Sequence, residues 1–210
     1  MKVSVVIPAY NEEKTIGDVV SSAVLIPLVT EVIVVDDGSE DNTAIEATNA
    51  GARVISLSNN LGKGGAMMVG VKHSLNSILL FLDADLIGLT QKHVTDLILP
   101  VCRGAMDMTV GVFGHGRFAT DLAQFFAPFL SGQRAVRREI IEKISDLEVT
   151  RFGVEIALTR YASENNLRVQ EVELKDLTHV MKEEKLGMVK GLLARLKMYW
   201  EIAQYVKKGS

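Results

Sequence analysis

The chain is poor in cysteine and proline, with one and four in 210 residues. A lone Cys102 excludes a disulfide-stapled scaffold and fits a reducing compartment. So few prolines exclude a collagen-like or proline-rich chain. Basic charge is not in excess either: the net charge is −3, so no global field points to nucleic acid. No uninterrupted apolar run approaches the ~20 residues that span a bilayer. Met1-Lys2-Val3-Ser4 enters a strand-like run without the features of a signal peptide. These absences together predict a cytoplasmic protein. With 48% hydrophobic and 23% charged residues, global disorder is excluded as well. The length suits one domain over 1–210.

What is present is a regular alternation in the first half. Val3-Ser4-Val5-Val6-Ile7 reads as a buried strand ended by Pro8, and Ile16, Val19, Val20, Ala23 and Val24 carry helical spacing. Strands are predicted over 31–36, 52–57 and 78–83, with helices over 43–49 (closed by Gly51) and 64–74 between them. Nearly continuous apolar strands separated by helices imply a mostly parallel α/β sheet covered on both faces. The second half is less regular. It predicts a helix from a Thr90 cap to Leu99, with Pro100 at its end, and a strand over 106–113. Helices are predicted over 118–126, 138–144, 154–164 and 183–206, and a strand over 168–174. His73, His93 and the Met67-Met68 pair read as ordinary helix residues, Arg137 and Arg138 as a solvated face, and Cys102 as buried rather than nucleophilic. Gly114-x-Gly116-x-x-Ala119 mimics a dinucleotide fingerprint but lies mid-chain without the acid that should follow it.

Parallel sheets bind ligands beyond the carboxyl ends of their strands, and those ends are polar here. Pro8-Ala9-Tyr10-Asn11-Glu12-Glu13 offers a ring for stacking and carboxylates for ribose hydroxyls; Asp36-Asp37-Gly38-Ser39 follows the second strand. Asn59-Asn60-Leu61-Gly62-Lys63-Gly64-Gly65 opens a helix, where glycines allow close backbone approach and the helix N-terminus and Lys63 favour an anion. Asp83-Ala84-Asp85 is the only Asp-x-Asp in the chain, and in an extended segment both carboxylates face one hard cation. Taken singly, each piece is also an ordinary βα turn or helix cap.

Together, Pro8 to Glu13, Val34 to Ser39, Asn60 to Gly64 and Leu82 to Asp85 resemble family 2 nucleotide-sugar-dependent glycosyltransferases. The resemblance implies a GT-A fold, with a nucleotide-sugar half over about 1–100 and an acceptor half over about 101–210. It implies that Tyr10, Glu12 and Asp37 hold the nucleoside, with Pro8, Ala9, Gly62 and Ala84 beside the nucleotide sugar. Lys63 would lie near base or phosphates, and Asp83 and Asp85 at a metal diphosphate. Two groups compete. Dolichyl-phosphate mannosyltransferase-like enzymes usually carry a Gln two residues beyond the Asp-x-Asp, where this chain has Ile87. The glucosyl-3-phosphoglycerate synthase and mannosylglycerate synthase-like group is similar at Gly116-Arg117-Phe118-Ala119-Thr120, at Leu130-Ser131-Gly132-Gln133-Arg134 and at Phe152-Gly153-Val154-Glu155-Ile156. The second resemblance is the fuller one. It implies a UDP-sugar donor, a small anionic acceptor at Arg117, Thr120, Ser131, Gly132, Gln133 and Arg134, and His179 joining Asp85 on Mn²⁺ or Mg²⁺. A lipid-phosphate acceptor and a non-catalytic sugar-nucleotide-binding protein are the competing readings.

Two further features come from the residues themselves. Glu155 sits on an otherwise apolar helix face, where a carboxylate orients sugar hydroxyls or accepts the acceptor's proton; a surface acid favoured by the helix dipole is the alternative. From Lys182 to Ser210 there are seven Lys/Arg against three Glu, leaving −7 for the rest of the chain. There Leu186, Val189, Leu192, Leu193, Leu196, Tyr199, Trp200 and Ala203 form an apolar stripe. An amphipathic helix of this kind docks on its own domain, on a second copy in a homodimer, or peripherally at the anionic inner face of a membrane.

Overall fold

The computed structural model describes residues 1–113, 131–144 and 153–179. Contacts divide the chain into Met1–Thr178 and His179–Ser210; of the second unit only His179 is described. The predicted helices over 118–126 and 183–206 lie outside the described residues.

The first unit is built on a seven-stranded sheet in the order β3-β2-β1-β4-β7-β6-β8. These strands are β1 (Val3–Ala9), β2 (Val29–Asp36), β3 (Arg53–Ser56), β4 (Ile78–Phe81), β6 (Met108–Phe113), β7 (Arg134–Arg137) and β8 (Val169–Leu174). A separate two-residue strand, β5 (Leu86–Ile87), follows β4, and β9 (Thr178–His179) ends the described chain. All neighbouring pairs are parallel except those made by β7, which runs against both β4 and β6. The mostly parallel α/β architecture expected from the sequence is the one observed.

Two-residue periodicity sorts the core into layers. Val3, Val5 and Ile7 point toward α1 (Ile16–Val24) and α4 (Gln91–Cys102), packing with Val19, Val20, Leu97 and Ile98. Val6 points the other way, with Leu79, Phe81 and Val110, onto α3 (Gly62–His73) and the later helix α6 (Val154–Glu164). Short helices α2 (Thr43–Asn49) and α5 (Arg138–Ile141) complete the two covers. α3 lies unusually close to the sheet: a Cβ at Gly70 would stand 2.3 Å from Val6 Cγ1.

Several expectations are corrected. Pro8 lies within β1 rather than ending it. The Val6 carbonyl accepts from Leu82 N, so by alternation the missing N–H of Pro8 faces the β4 side, where the ladder has already ended at Phe81. Pro100 lies inside α4, within its last turn, where the helix forgoes the one backbone bond that residue 100 would donate to the carbonyl four residues earlier. The apolar pattern does not predict β7. Arg138 is not on a solvated face: its guanidinium donates to the carbonyls of Val71, Ser74 and Asn76 at 2.8–2.9 Å and closes the end of α3. His93 is more than an ordinary helix residue, because Thr90 Oγ1 accepts from its amide while its Nδ1 accepts from the Thr90 amide, a reciprocal cap. Cys102 is half-buried, and burial pushes its thiol up.

Candidate active site

The strand order reverses between β1 and β4, since β2 and β3 lie on one side and β4 on the other. Sheets of this kind take their ligands at such a reversal, beyond the carboxyl ends of the strands, and the polar motifs follow those ends here. Tyr10 is exposed and Ala9 is buried. The loops after β1 and β2 are laced together: Asn11 N donates to Ser39 Oγ, and Glu12 N to Thr43 Oγ1 at 2.7 Å. Asp37, buried, accepts from Leu61 N on Oδ1 at 2.7 Å. It therefore holds the loop that delivers Gly62 and Lys63 at the start of α3.

Lys63 is the centre of the site. Its Nζ lies 2.6 Å from Asp83 Oδ1 and 2.6 Å from Glu155 Oε1, joining the end of β4 to the first turn of α6. Burial pulls the ammonium down, but the two carboxylates outweigh it and hold Lys63 above the ordinary lysine range. Arg134 lies behind them, 1% exposed, donating to Ser131 O and Thr159 Oγ1 at 2.8 Å. Burial draws its guanidinium down to about 10, with Glu155 and Asp83 pulling the other way. Two cations thus face two carboxylates, the balance that lets charge sit in a core.

The structure brings together Lys63, Asp83, Glu155, Gln133 and Arg134. The backbone turns at Ala84 and Asp85 instead of staying extended. Thr15 Oγ1 fixes that turn by donating to Ala84 O at 2.8 Å. Asp83 accepts from Lys63 on Oδ1 and from Gln133 Nε2 on Oδ2 at 2.8 Å, and Asp85 beyond the turn is half-buried. Among the described residues no three His, Cys, Asp or Glu side chains gather as a metal cage. His179 is exposed.

The segment expected to meet the acceptor is buried where it is described. Ser131, Gln133 and Arg134 are buried, at 6%, 0% and 1% exposure, and spend their polar atoms on one another, on Asp83 and on α6. Arg117 and Thr120 lie outside the described residues, as do Leu130 and Phe152. Sequence reasoning missed the Lys63–Glu155 contact and the Gln133–Asp83 bond. The one available signal was a polar Gln beside an arginine in a segment too short to be a long loop.

Residues 4–153 match the family described as Glycosyl transferase family 2. The chain belongs to this family. It is 41% identical over 194 residues to the glucosyl-3-phosphoglycerate synthase of Mycolicibacterium paratuberculosis, a match covering 74% of this chain and 58% of that protein. It is 30% identical over 207 residues to an uncharacterised protein of Methanocaldococcus jannaschii, covering 84% and 82% respectively. Among solved structures, glucosyl-3-phosphoglycerate synthase of Mycobacterium tuberculosis with Mn²⁺, UDP-glucose and phosphoglyceric acid superposes with a TM-score of 0.71 at 32% identity. That match covers 85% of this chain and 71% of the other. The same enzyme with Mg²⁺ and UDP gives 0.72 at 29% identity, covering 92% and 79%. Of the two groups weighed from the sequence, the relatives with a named activity here stand on the phosphoglycerate-synthase side. The chain spans about 58% of the length of the curated synthase it matches.

Proposed function

We propose that this chain is a metal-dependent glycosyltransferase that moves a hexose from a UDP-sugar to a small anionic acceptor. The observation that carries the proposal is the charge cluster of Lys63, Asp83 and Glu155 at the topological switch point. A fold has no need to concentrate charge there, whereas a site for a diphosphate sugar does. In this reading the half over about 1–100 holds the donor and the rest serves the acceptor. Tyr10, Glu12 and Asp37, with Pro8 and Ala9, meet the nucleoside. Gly62, Lys63 and Ala84 line the diphosphate, and Asp83 faces the sugar. Glu155, held by Lys63 at the mouth of α6, orients hydroxyl groups at the reacting centre.

Asp85 and His179 are the proposed metal ligands, a carboxylate and an imidazole suited to Mn²⁺ as well as to Mg²⁺. A divalent ion bound there neutralises the leaving diphosphate. Arg117 and Thr120 are the proposed acceptor contacts, with phosphoglycerate and glycerol 3-phosphate, bound by the solved relatives, as the first acceptors to try. The place of work is the cytoplasm. No described helix is long and apolar enough to cross a membrane, and the basic 183–206 segment is read as docking on the protein or on a second copy.

The test is thermal shift against UDP, GDP, UDP-glucose and GDP-mannose with Mn²⁺, followed by transfer assays. UDP and UDP-glucose should stabilise selectively, and label should pass to a phosphorylated three-carbon acid or alcohol. Label passing to polyprenyl phosphate instead would move the chain to the competing group. Equal, negligible shifts for all four nucleotides would remove the enzyme reading altogether.

A further inference from the structure

The residues that lead into β7 converge on one carboxylate. A Cβ at Gly132 would stand 2.3 and 2.5 Å from the two oxygens of Asp83, so only glycine leaves room for that carboxylate. Next to it Gln133, wholly buried, donates from Nε2 to Asp83 Oδ2 at 2.8 Å. Its orientation is set: Ser131 Oγ donates to Gln133 Oε1 at 3.0 Å and accepts from the Gln133 amide at 3.3 Å. Oε1 being the acceptor, Nε2 is turned toward Asp83. With Lys63 on Oδ1, the carboxylate is gripped from both sides.

We propose that Gln133 is a positioning residue for the donor sugar: its amide, oriented by Ser131, fixes Asp83 so that the carboxylate meets hexose hydroxyls and leaves the metal to Asp85. The inference rests on the UDP-sugar reading above and replaces the expectation that Gln133 touches the acceptor. A side chain without exposure, with one end on Asp83 and the other on Ser131, does not reach an acceptor. The chemistry also explains the residue type. Glutamate has no donor for Asp83 and would set a second carboxylate against it, and leucine would leave Oδ2 without this partner. A carboxylate offers about four lone-pair positions and so can accept from a sugar hydroxyl beside the Lys63 and Gln133 donors.

The test uses Gln133→Met, near-isosteric and without a donor, with binding of UDP and of UDP-glucose measured by calorimetry in Mn²⁺. UDP-glucose affinity should fall about 10-fold, the worth of one hydrogen bond to a charged group, while UDP affinity stays within about 2-fold. In turnover, KM for UDP-glucose should rise by more than kcat falls. Ser131→Ala should act in the same direction by about 3-fold, through loss of the amide's orientation, and Ser131→Thr, which keeps the hydroxyl, should restore binding. Should Gln133→Met fail to fold in a urea titration, the Ser131 pair carries the test unaided. Unchanged UDP-glucose binding in the variants, or equal loss of UDP and UDP-glucose, overturns the inference while leaving the enzyme reading in place. A wild-type protein that binds neither ligand overturns both.

Discussion

The two edges of the sheet are both rich in polar contacts, but they use them differently. At the amino edge the partners are mainly backbone groups and loops. Glu31 accepts from Ser4 and from the Leu75 amide, Asn76 donates to Ser4 and Thr30, and Arg138 caps three carbonyls around the end of α3. The Leu75 amide and the three carbonyls under Arg138 are groups at a strand start or helix end, where the fold's own hydrogen-bond ladders run out. At the carboxyl edge Lys63, Asp83, Glu155 and Arg134 mainly satisfy one another's charge. Apolar residues of similar volume would often serve stability as well as such a cluster. One edge is polar because the fold requires it; under the proposed function the other is polar to serve a ligand.

The sharpest way to break this contrast is Lys63→Met. It leaves Asp83 and Glu155 facing each other without their shared cation. Transfer activity should fall by about 10³-fold or more, as expected when a charged group is removed from a preorganised site. Stability should fall by only about 1–3 kcal/mol, below the figure for a fully buried pair, because the lysine side chain is 31% exposed. Steady-state kinetics and urea unfolding on one preparation check both halves. Glu155→Gln is milder: it keeps shape and hydrogen bonding but removes the charge. Activity should drop by about 10²-fold with little change in urea midpoint. Wild-type kinetics in that variant would place Glu155 outside the site.

Arg138→Met probes the other edge and should invert the pattern. Three buried-side carbonyls lose a charged donor, so stability should fall by about 2–4 kcal/mol while KM for the donor stays unchanged. A variant that instead lost donor affinity without losing stability would dissolve the distinction between the edges.

The same contrast explains what could be read from the sequence. β1, β2 and β4 were legible because strands buried on both faces are continuous apolar runs, and the four motifs at their ends could be placed once that order was known. β7 was not, because Arg134-Ala135-Val136-Arg137 has two apolar residues between two arginines. Its burial depends on Arg134 finding Ser131, Thr159 and the carboxylates across the chain. Arg138 looks solvated in the sequence for the same reason: its acceptors are backbone carbonyls, which carry no residue-specific signal. The clustering of Lys63 with Glu155 was equally hidden, since nothing in either local pattern announces a partner on a distant helix.

The smallest expected effect concerns the entrance of β6 and β8, where Arg168 grips Asp107 with two nitrogens at 3.0 and 2.8 Å. The hydrogen bond from Arg168 holds the Asp107 carboxyl down at about 2, below the ordinary 3.8. A carboxyl whose folded value is depressed stabilises the fold above its unfolded value and loses that contribution as pH falls through the folded one. The contribution should therefore be whole above about pH 4–5 and gone near pH 2. Because Arg168 is half-exposed, solvent and salt screen the pair, so the effect is small. Asp107→Asn should lower the melting temperature slightly at pH 6, and the gap from wild type should close on acidification toward pH 2 and narrow in high salt. Donor binding at pH 7 should not change, since this pair lies at the edge that serves the fold. A gap that stayed constant from pH 6 to pH 2 would mean that the bond is held by packing rather than by charge.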